Sequence, residues 1–351
     1  MVGSASILPC VKPRTMAVPI EALIFSGGSI PFLMTLNERK IFCRWTKRSH
    51  EGKLTINGDD LKTYIVYSEK CLEYLSPHIP ETPERVYRAY KLLKKGGFQF
   101  VKPEACSEED LKLVHNEEFV ARIKSGDFFD ADSPSLPGIY DYARLSVGGA
   151  VKSMKIALTG EKAFSLMRPP GHHVGVNGAA LGAASMGFCY FNNIAVACIK
   201  ALKHVDKIAI LDIDCHHGNG TQEIFLGDPH VLFVSLHRYG FFYPGTGGSS
   251  EGNCINYPFR HPVDDERYLQ VLGEALDRIR EFNPSLIAVS AGFDAHRYDP
   301  VGGLGLSEEA YMQIGGMIAD MRCKTFAVLE GGYGRYFPEC VLNFLRGLDS
   351  S

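Results

Sequence analysis

The 351-residue chain holds a single tryptophan, no Cys-x-x-Cys pair, no long block of lysine or arginine, and no internal repeat or low-complexity tract. Its ten cysteines (Cys10, Cys43, Cys71, Cys106, Cys189, Cys198, Cys215, Cys254, Cys323 and Cys340) are scattered, so no dense disulfide framework is written into the chain. That usage points to a reduced, intracellular protein, cytoplasmic, with the nucleus also open to it in a eukaryotic cell. A formal net charge of −3 with dispersed basic residues gives no electrostatic footprint for nucleic acid or for an anionic membrane. The apolar stretch 17–34 is broken by Pro19, Glu21, the Gly27-Gly28 pair and Pro31. It is expected to be a soluble N-terminal appendage, neither a signal peptide nor a membrane span.

What the chain does have is apolar content: 45% of it is hydrophobic, enough at this length to bury a large core. From residue 62 onward, β-rich apolar runs alternate with helical patterns, the signature of a parallel sheet covered on both faces. Strands are expected at 63–67, 163–167, 207–212, 231–236, 286–290 and 325–329, and helices at 83–93, 140–158, 193–203, 267–282 and 307–321. The expected fold class is therefore α/β, a single domain with a central, mostly parallel sheet and helices on both faces. It occupies residues 62–351 behind an extension, 1–61, of unknown role.

Four of these strands run straight into polar, Gly-rich segments. Met167 is followed by Arg168-Pro169-Pro170-Gly171-His172-His173, and Leu211 by Asp212-Ile213-Asp214-Cys215-His216-His217-Gly218-Asn219-Gly220. Ser290 leads into Ala291-Gly292-Phe293-Asp294, and Leu329 into Glu330-Gly331-Gly332-Tyr333. Ligands of open parallel sheets bind beyond the carboxyl ends of the strands, so these segments are expected to converge on one cleft.

Metal-assisted hydrolysis needs three protein ligands, an open coordination position, a base for water and a donor for the developing oxyanion. If residues 212–216 continue as extended chain, Asp212, Asp214 and His216 share one face while Ile213 and Cys215 take the other. Asp214 and His216 are then two ligands, and Asp294 on the neighbouring connection is the third. The tandem His172-His173 supplies a base near working pH. Tyr333, behind a Gly-Gly hinge, can donate its phenol to an oxyanion. Asp212 and Asn219 are the available partners for the outer ring nitrogens, and a carboxylate behind one histidine with an amide behind the other predicts unequal pKa values. Phe188, in Met186-Gly187-Phe188-Cys189-Tyr190-Phe191, is placed to line an apolar tunnel. Cys189 and Cys215 read as buried thiols without a base to activate them.

Taken together and in this order, these residues resemble the histone deacetylase family, which includes acetylpolyamine amidohydrolases. The resemblance runs from Thr63 to the C-terminus. It implies an arginase/deacetylase-like fold and hydrolysis of N-acetyl amides of lysine or polyamines at one Zn2+ per chain. The implied zinc ligands are Asp214, His216 and Asp294, with His172 and His173 as acid/base pair, Tyr333 polarising the acetyl carbonyl, and Asp212 and Asn219 behind the histidines. Tunnel walls are implied at Gly187, Phe188 and Phe242, and a rim aspartate at Asp132. A structural K+ is implied at Asp212, Ser235 and the backbone of Leu236, and Arg85 matches an arginine beside an internal acetate channel. Gly218-Asn219-Gly220 and Glu330 look like class II members. Val301 stands where polyamine-selective relatives can carry an acidic gatekeeper, which favours acetyl-lysine over a polycation. The family's His-Pro-Glu appears as His78-Ile79-Pro80-Glu81, and the extra residue leaves Arg85 open to displacement.

The expected activity is thus zinc-dependent deacetylation, with acetylated protein lysines as partners and acetylated polyamines as the alternative; no direct nucleic-acid or membrane partner is expected. Two further readings stay in view: a two-manganese ureohydrolase, suggested by Asp294-Ala295-His296, and an inactive acyl-lysine binding protein.

Overall fold

The computed structural model describes residues 63–350, apart from Pro77. The extension 1–61, with its apolar stretch 17–34, lies outside the described residues. In chain order the strands are β1 (Thr63–Val66), β2 (Phe100–Val101), β3 (Lys162–Ser165), β4 (Val174–Gly175), β5 (Gly178–Ala179), β6 (Ile208–Asp212), β7 (Val231–Arg238), β8 (Cys254–Phe259), β9 (Leu286–Ala291) and β10 (Lys324–Leu329). Strands β4 and β5 form a small antiparallel hairpin, and the other eight make one sheet in the order β2-β1-β3-β10-β9-β6-β7-β8. Every neighbouring pair in that sheet is parallel. The strands that feed the four polar connections, β3, β10, β9 and β6, are therefore adjacent, and their carboxyl ends line up along one edge.

The central strands are buried on both faces, which is why they read as unbroken apolar runs. Along β6, Ile208 and Ile210 enter one core while Ala209 and Leu211 enter the other; β9 and β10 split the same way, with Leu286, Ala288, Phe326 and Val328 opposite Ile287, Val289, Ala327 and Leu329. Helices α1 (Pro83–Lys95), α2 (Glu108–Leu111), α3 (Glu117–Ser125), α4 (Ile139–Leu158), α5 (Asn193–Ala201), α6 (Asn219–Phe225), α7 (Asp265–Phe282), α8 (Glu308–Ala319) and α9 (Phe337–Leu348) supply the cover. The core with Leu211 takes Val86 and Leu93 of α1, Leu272 of α7, Ile314 of α8 and Phe344 of α9; the core with Ile210 takes Phe119 of α3, Val147 of α4 and Ile194 of α5. Among the described residues no helix is long and apolar enough to cross a membrane, and the eight cysteines are free thiols.

All six expected strands and all five expected helices are present within a few residues of their expected ends. Strands β2 and β8, the hairpin, and α2, α3, α6 and α9 were not anticipated. Strand β2 has only two residues, β8 is an edge strand carrying Pro258, and α6 opens on Asn219-Gly220, which reads locally as a turn. One expectation is corrected. Strand β6 ends at Asp212, and residues 214–216 are bent, not extended. Asp212 Oδ1 accepts from the Asp214 N–H at 3.0 Å and Asp214 Oδ1 from the His216 N–H at 2.8 Å, so two successive Asx-type turns replace the strand. The sorting of side chains still holds: Ile213 and Cys215 join the apolar core while Asp214 and His216 turn to the cleft.

Helix α6 lies directly on the hairpin behind the histidine pair. A Cβ on Gly220 would sit 2.3 Å from the Val174 carbonyl carbon and 2.5 Å from that of His173, so only glycine permits this approach. Gly220→Ala is expected to cost about 1–3 kcal/mol through overpacking, read as a lowered midpoint of urea unfolding; an unchanged midpoint would show that the helix has room to withdraw.

Candidate active site

Asp214, His216 and Asp294 meet beyond the ends of β6 and β9, all buried, with one ligating atom of each within 4.8 Å of the others. His216 Nδ1 lies 3.1 Å from Asp214 Oδ1 and 2.8 Å from Asp294 Oδ2. The remaining carboxylate oxygens are tied back to the chain: Asp214 Oδ2 accepts from the Gly331 N–H at 2.7 Å and Asp294 Oδ1 from the Cys215 N–H at 2.9 Å. Asp294 Oδ2 is buried with no hydrogen-bond donor aligned on it, although His216 Nδ1 lies close by. Burial, and then the Asp214 charge, push the Asp294 carboxyl up to about 7. An orphaned oxygen and two crowded carboxylates beside an imidazole form a donor set that a divalent cation fits.

The two histidines end the β3 connection, their rings tilted by 46° with centroids 4.0 Å apart. His172 Nδ1 is 2.9 Å from Asp212 Oδ2, and His173 Nδ1 is 2.7 Å from Asn219 Oδ1. The Asn219 amide nitrogen donates to the Ala180 carbonyl at 2.8 Å, which orients its oxygen toward His173. His173 Nδ1 therefore carries the proton, and its Nε2 keeps a free lone pair. The expected inequality is present. Burial alone would lower His172, but the Asp212 charge, and then that of Asp214, outweigh it and hold the ring up to about 10. Burial, reinforced by the His172 and His216 charges, pushes His173 well below the ordinary imidazole range.

Tyr333 follows the Glu330-Gly331-Gly332 segment beyond β10, and Phe188 meets its ring edge-on at 5.6 Å. Phe242 stacks on His216 at 4.8 Å and 11° between planes, so both expected tunnel aromatics touch site residues. Gly187 and Phe188 both have left-handed backbone, at φ 52° and 68°. A Cβ on Gly187 would fall 2.6 Å from His173 Cδ2 and 2.8 Å from Tyr243 Oη, so the glycine is required by space as well as by φ. Phe188 has no such exemption and carries backbone strain of order 1 kcal/mol.

A family model for the histone deacetylase domain matches residues 79–348. The chain belongs to the histone deacetylase family. A "Probable deacetylase" of Archaeoglobus fulgidus is 39% identical over 298 residues, covering 77% of this chain and 81% of the relative. Among solved structures, an HDA15 HD domain superposes with a TM-score of 0.75 at 32% identity, over 82% of this chain and 91% of that one. An acetylpolyamine aminohydrolase from Burkholderia pseudomallei gives the same TM-score at 24% identity over 82% and 99% of the two chains, a likeness of fold. The protein is thus an α/β member of a deacetylase family with hydrolase activity.

Within this histone deacetylase fold, buried ion pairs and carboxylates hold the loops. Arg168, at the start of the histidine loop and fully buried, grips the Glu81 carboxylate through Nε and Nη2, at 2.7 and 2.6 Å, and donates from Nη1 to the carbonyls of Cys71 and Tyr74. Arg85 also reaches Glu81, at 3.1 Å, and donates to the carbonyls of Gly332 at 2.7 Å and Glu330 at 2.5 Å. The extra residue in His78-Ile79-Pro80-Glu81 has not carried Arg85 away from the tyrosine loop. Glu330 accepts from the N–H groups of Gly171 and His172 at 2.7 and 3.2 Å and from Ser290 Oγ at 3.2 Å.

Asp132 sits further out, where Ser185 Oγ donates to its carboxylate, while the neighbouring Asp130 holds the Met186 N–H at 2.9 Å. Val301 is half-buried on the connection after β9. Ser235 faces Asp212 in register across β6 and β7, Leu236 follows it on β7, and the Ser235 hydroxyl lies 2.9 Å from His237 Nδ1. Sequence reasoning missed Tyr243, whose ring stands edge-on to His173 at 4.9 Å while its hydroxyl donates to the Ser185 carbonyl at 2.8 Å. Its only signal was membership of the aromatic run 239–243. Asp294→Asn should strip or strongly weaken metal binding, measured as metal content per chain after purification and dialysis; full occupancy in the variant would remove Asp294 from the ligand set.

Proposed function

We propose that this protein is a zinc-dependent deacetylase that hydrolyses N-acetyl amides, with acetylated lysine side chains of proteins as its substrates. The observation that carries the reading is the buried Asp214, His216 and Asp294 group beside one histidine held charged and another held neutral. Zn2+ held by those three residues would supply Lewis acidity toward the acyl oxygen and toward water. His173 Nε2, with its lone pair fixed by Asn219, takes the proton of the attacking water and returns it to the leaving amine. His172, kept protonated by Asp212, presents positive charge to the same space. Tyr333 donates its hydroxyl to the developing oxyanion. Phe188 and Phe242 wall the acyl-lysine channel beside Gly187, and Asp132 accepts from substrate backbone at the rim.

The apolar Val301 leaves no anion at its position to draw in a polycation, which supports acetyl-lysine over acetylpolyamine. Among the described residues one group of three buried metal-ligating side chains is found, which supports one metal ion over a two-metal ureohydrolase site. A structural K+ would sit where Asp212 and Ser235 face each other, completed by backbone oxygens including that of Leu236.

Side-by-side kinetics on an acetyl-lysine peptide, N-acetylspermidine and longer acyl-lysine peptides, with zinc measured on the same preparation, test the reading. The highest kcat/KM is expected for the acetyl-lysine peptide. Preference for N-acetylspermidine would overturn the substrate class, and zinc-loaded protein without turnover would make the chain an acyl-lysine binder. For the base, Asn219→Asp places a carboxylate behind His173 and raises its pKa, so the ring stays protonated to higher pH. The acid limb of the kcat/KM profile should then move up by about 1 unit or more; an unmoved limb would exclude His173 as the titrating base.

A further inference from the structure

The Tyr333 loop has a support that the roles assigned so far leave unused. Gly332 adopts φ 119°, and the chain from Glu330 to Gly334 belongs to no helix or strand. Arg85 fixes two of its carbonyls from one side. Its N–H groups at Tyr333 and Gly334 both point to a single oxygen, Asp299 Oδ2, at 2.6 and 2.8 Å. The other oxygen, Asp299 Oδ1, accepts from the N–H groups of Val301 at 2.9 Å and Gly302 at 3.1 Å. Asp299 is buried, with 9% of the residue exposed, and its carboxylate spends all four bonds on backbone. The connection it stands on also carries Asp294, whose carbonyl accepts from the Gly303 N–H at 2.7 Å. One side chain therefore ties the connection that bears a metal ligand to the backbone of the residue assigned as oxyanion donor.

We infer that Asp299 is the positioning residue for Tyr333: it fixes the tyrosine backbone so that the phenol stands where the acyl oxygen develops charge. The inference rests on the reading of Tyr333 as the oxyanion donor. Charge-assisted bonds of a buried carboxylate to backbone N–H are about twice as strong as neutral ones, so their loss frees the loop more than loss of an ordinary cap would. Misplacement of a reacting group by about 1 Å can cost about 10²-fold in rate.

The experiment is a double-mutant cycle in the full-length, zinc-loaded protein with Asp299→Ala, Tyr333→Phe and the pair, measuring kcat, KM and zinc content on an acetyl-lysine peptide. Tyr333→Phe is expected to lower kcat by about 10²-fold, and Asp299→Ala by about 10-fold or more, with KM and zinc content near wild type. In the Tyr333→Phe background, Asp299→Ala should cost less than about 3-fold, because the hydroxyl it serves is already absent. Amide hydrogen exchange at residues 330–334 should speed up in the Asp299 variant and stay at the wild-type rate in Tyr333→Phe. Equal fold-losses from Asp299→Ala in both backgrounds, or unchanged exchange, would overturn the positioning role while leaving Tyr333 as donor. Wild-type turnover in Tyr333→Phe would overturn the donor assignment itself, and the positioning role with it. Should Asp299→Ala fail to fold, Asp299→Asn in the same cycle keeps the volume and one acceptor oxygen, and is read by the same criteria with smaller losses.

Discussion

A carboxylate buried away from water must find N–H donors or a cation, and at the carboxyl edge of this sheet the donors come from other loops of the same edge. Asp214 takes the Gly331 amide across from β6 to the β10 connection, Asp294 takes the Cys215 amide from β9 to β6, and Glu330 takes the Gly171 and His172 amides from β10 to β3. Each bond is shielded from water, so it is worth more than an exposed one. The cross-links run between segments that lack regular secondary structure of their own. Acidity here is therefore structural before it is chemical, and the same groups that gather the loops also leave one oxygen, Asp294 Oδ2, with nothing to accept.

The histidine pair shows how neighbours divide the work of two identical side chains. Both rings are buried and they nearly touch, yet one faces a carboxylate and the other an amide. Burial pushes both toward neutrality, and only the ring with Asp212 behind it escapes. The fully buried Arg168 and Glu81 pair follows the same economy, where a two-pronged grip on the carboxylate and three backbone carbonyls satisfy a charge that would otherwise be prohibitive.

Much of this was legible in the chain because the central strands are buried twice over. A strand such as Ile208–Asp212, covered on both faces, leaves an apolar run that ends abruptly at its functional residues, so strand and site are marked by the same boundary. The candidate ligand trio, the histidines and their partners all lie on the segments that follow such boundaries. What escaped notice lacks that contrast. Strand β8 lies at an edge with half its residues partly exposed, and α6 starts in a Gly-rich segment packed closely on the hairpin. Residues 212–216 looked like strand by alternation, but Asp212 and Asp214 bond the backbone two residues ahead and bend it. Such side-chain-to-backbone bonds are local choices that a periodicity argument does not see. Long-range anchors such as Glu330 to Gly171 were out of reach for the opposite reason, since 159 residues separate the partners.

Phe188 keeps a left-handed backbone that an unbranched glycine would hold for free, and it lies between a glycine that cannot grow and a cysteine sealed in the core. A search for thermostable variants that scores only folding would be drawn to replace it, relaxing the kink and gaining melting temperature. If Phe188 walls the channel proposed above, the aperture would widen as the molecule hardened. On that reading robustness and selectivity are set against each other at one side chain, and laboratory evolution under heat alone would trade away the second for the first.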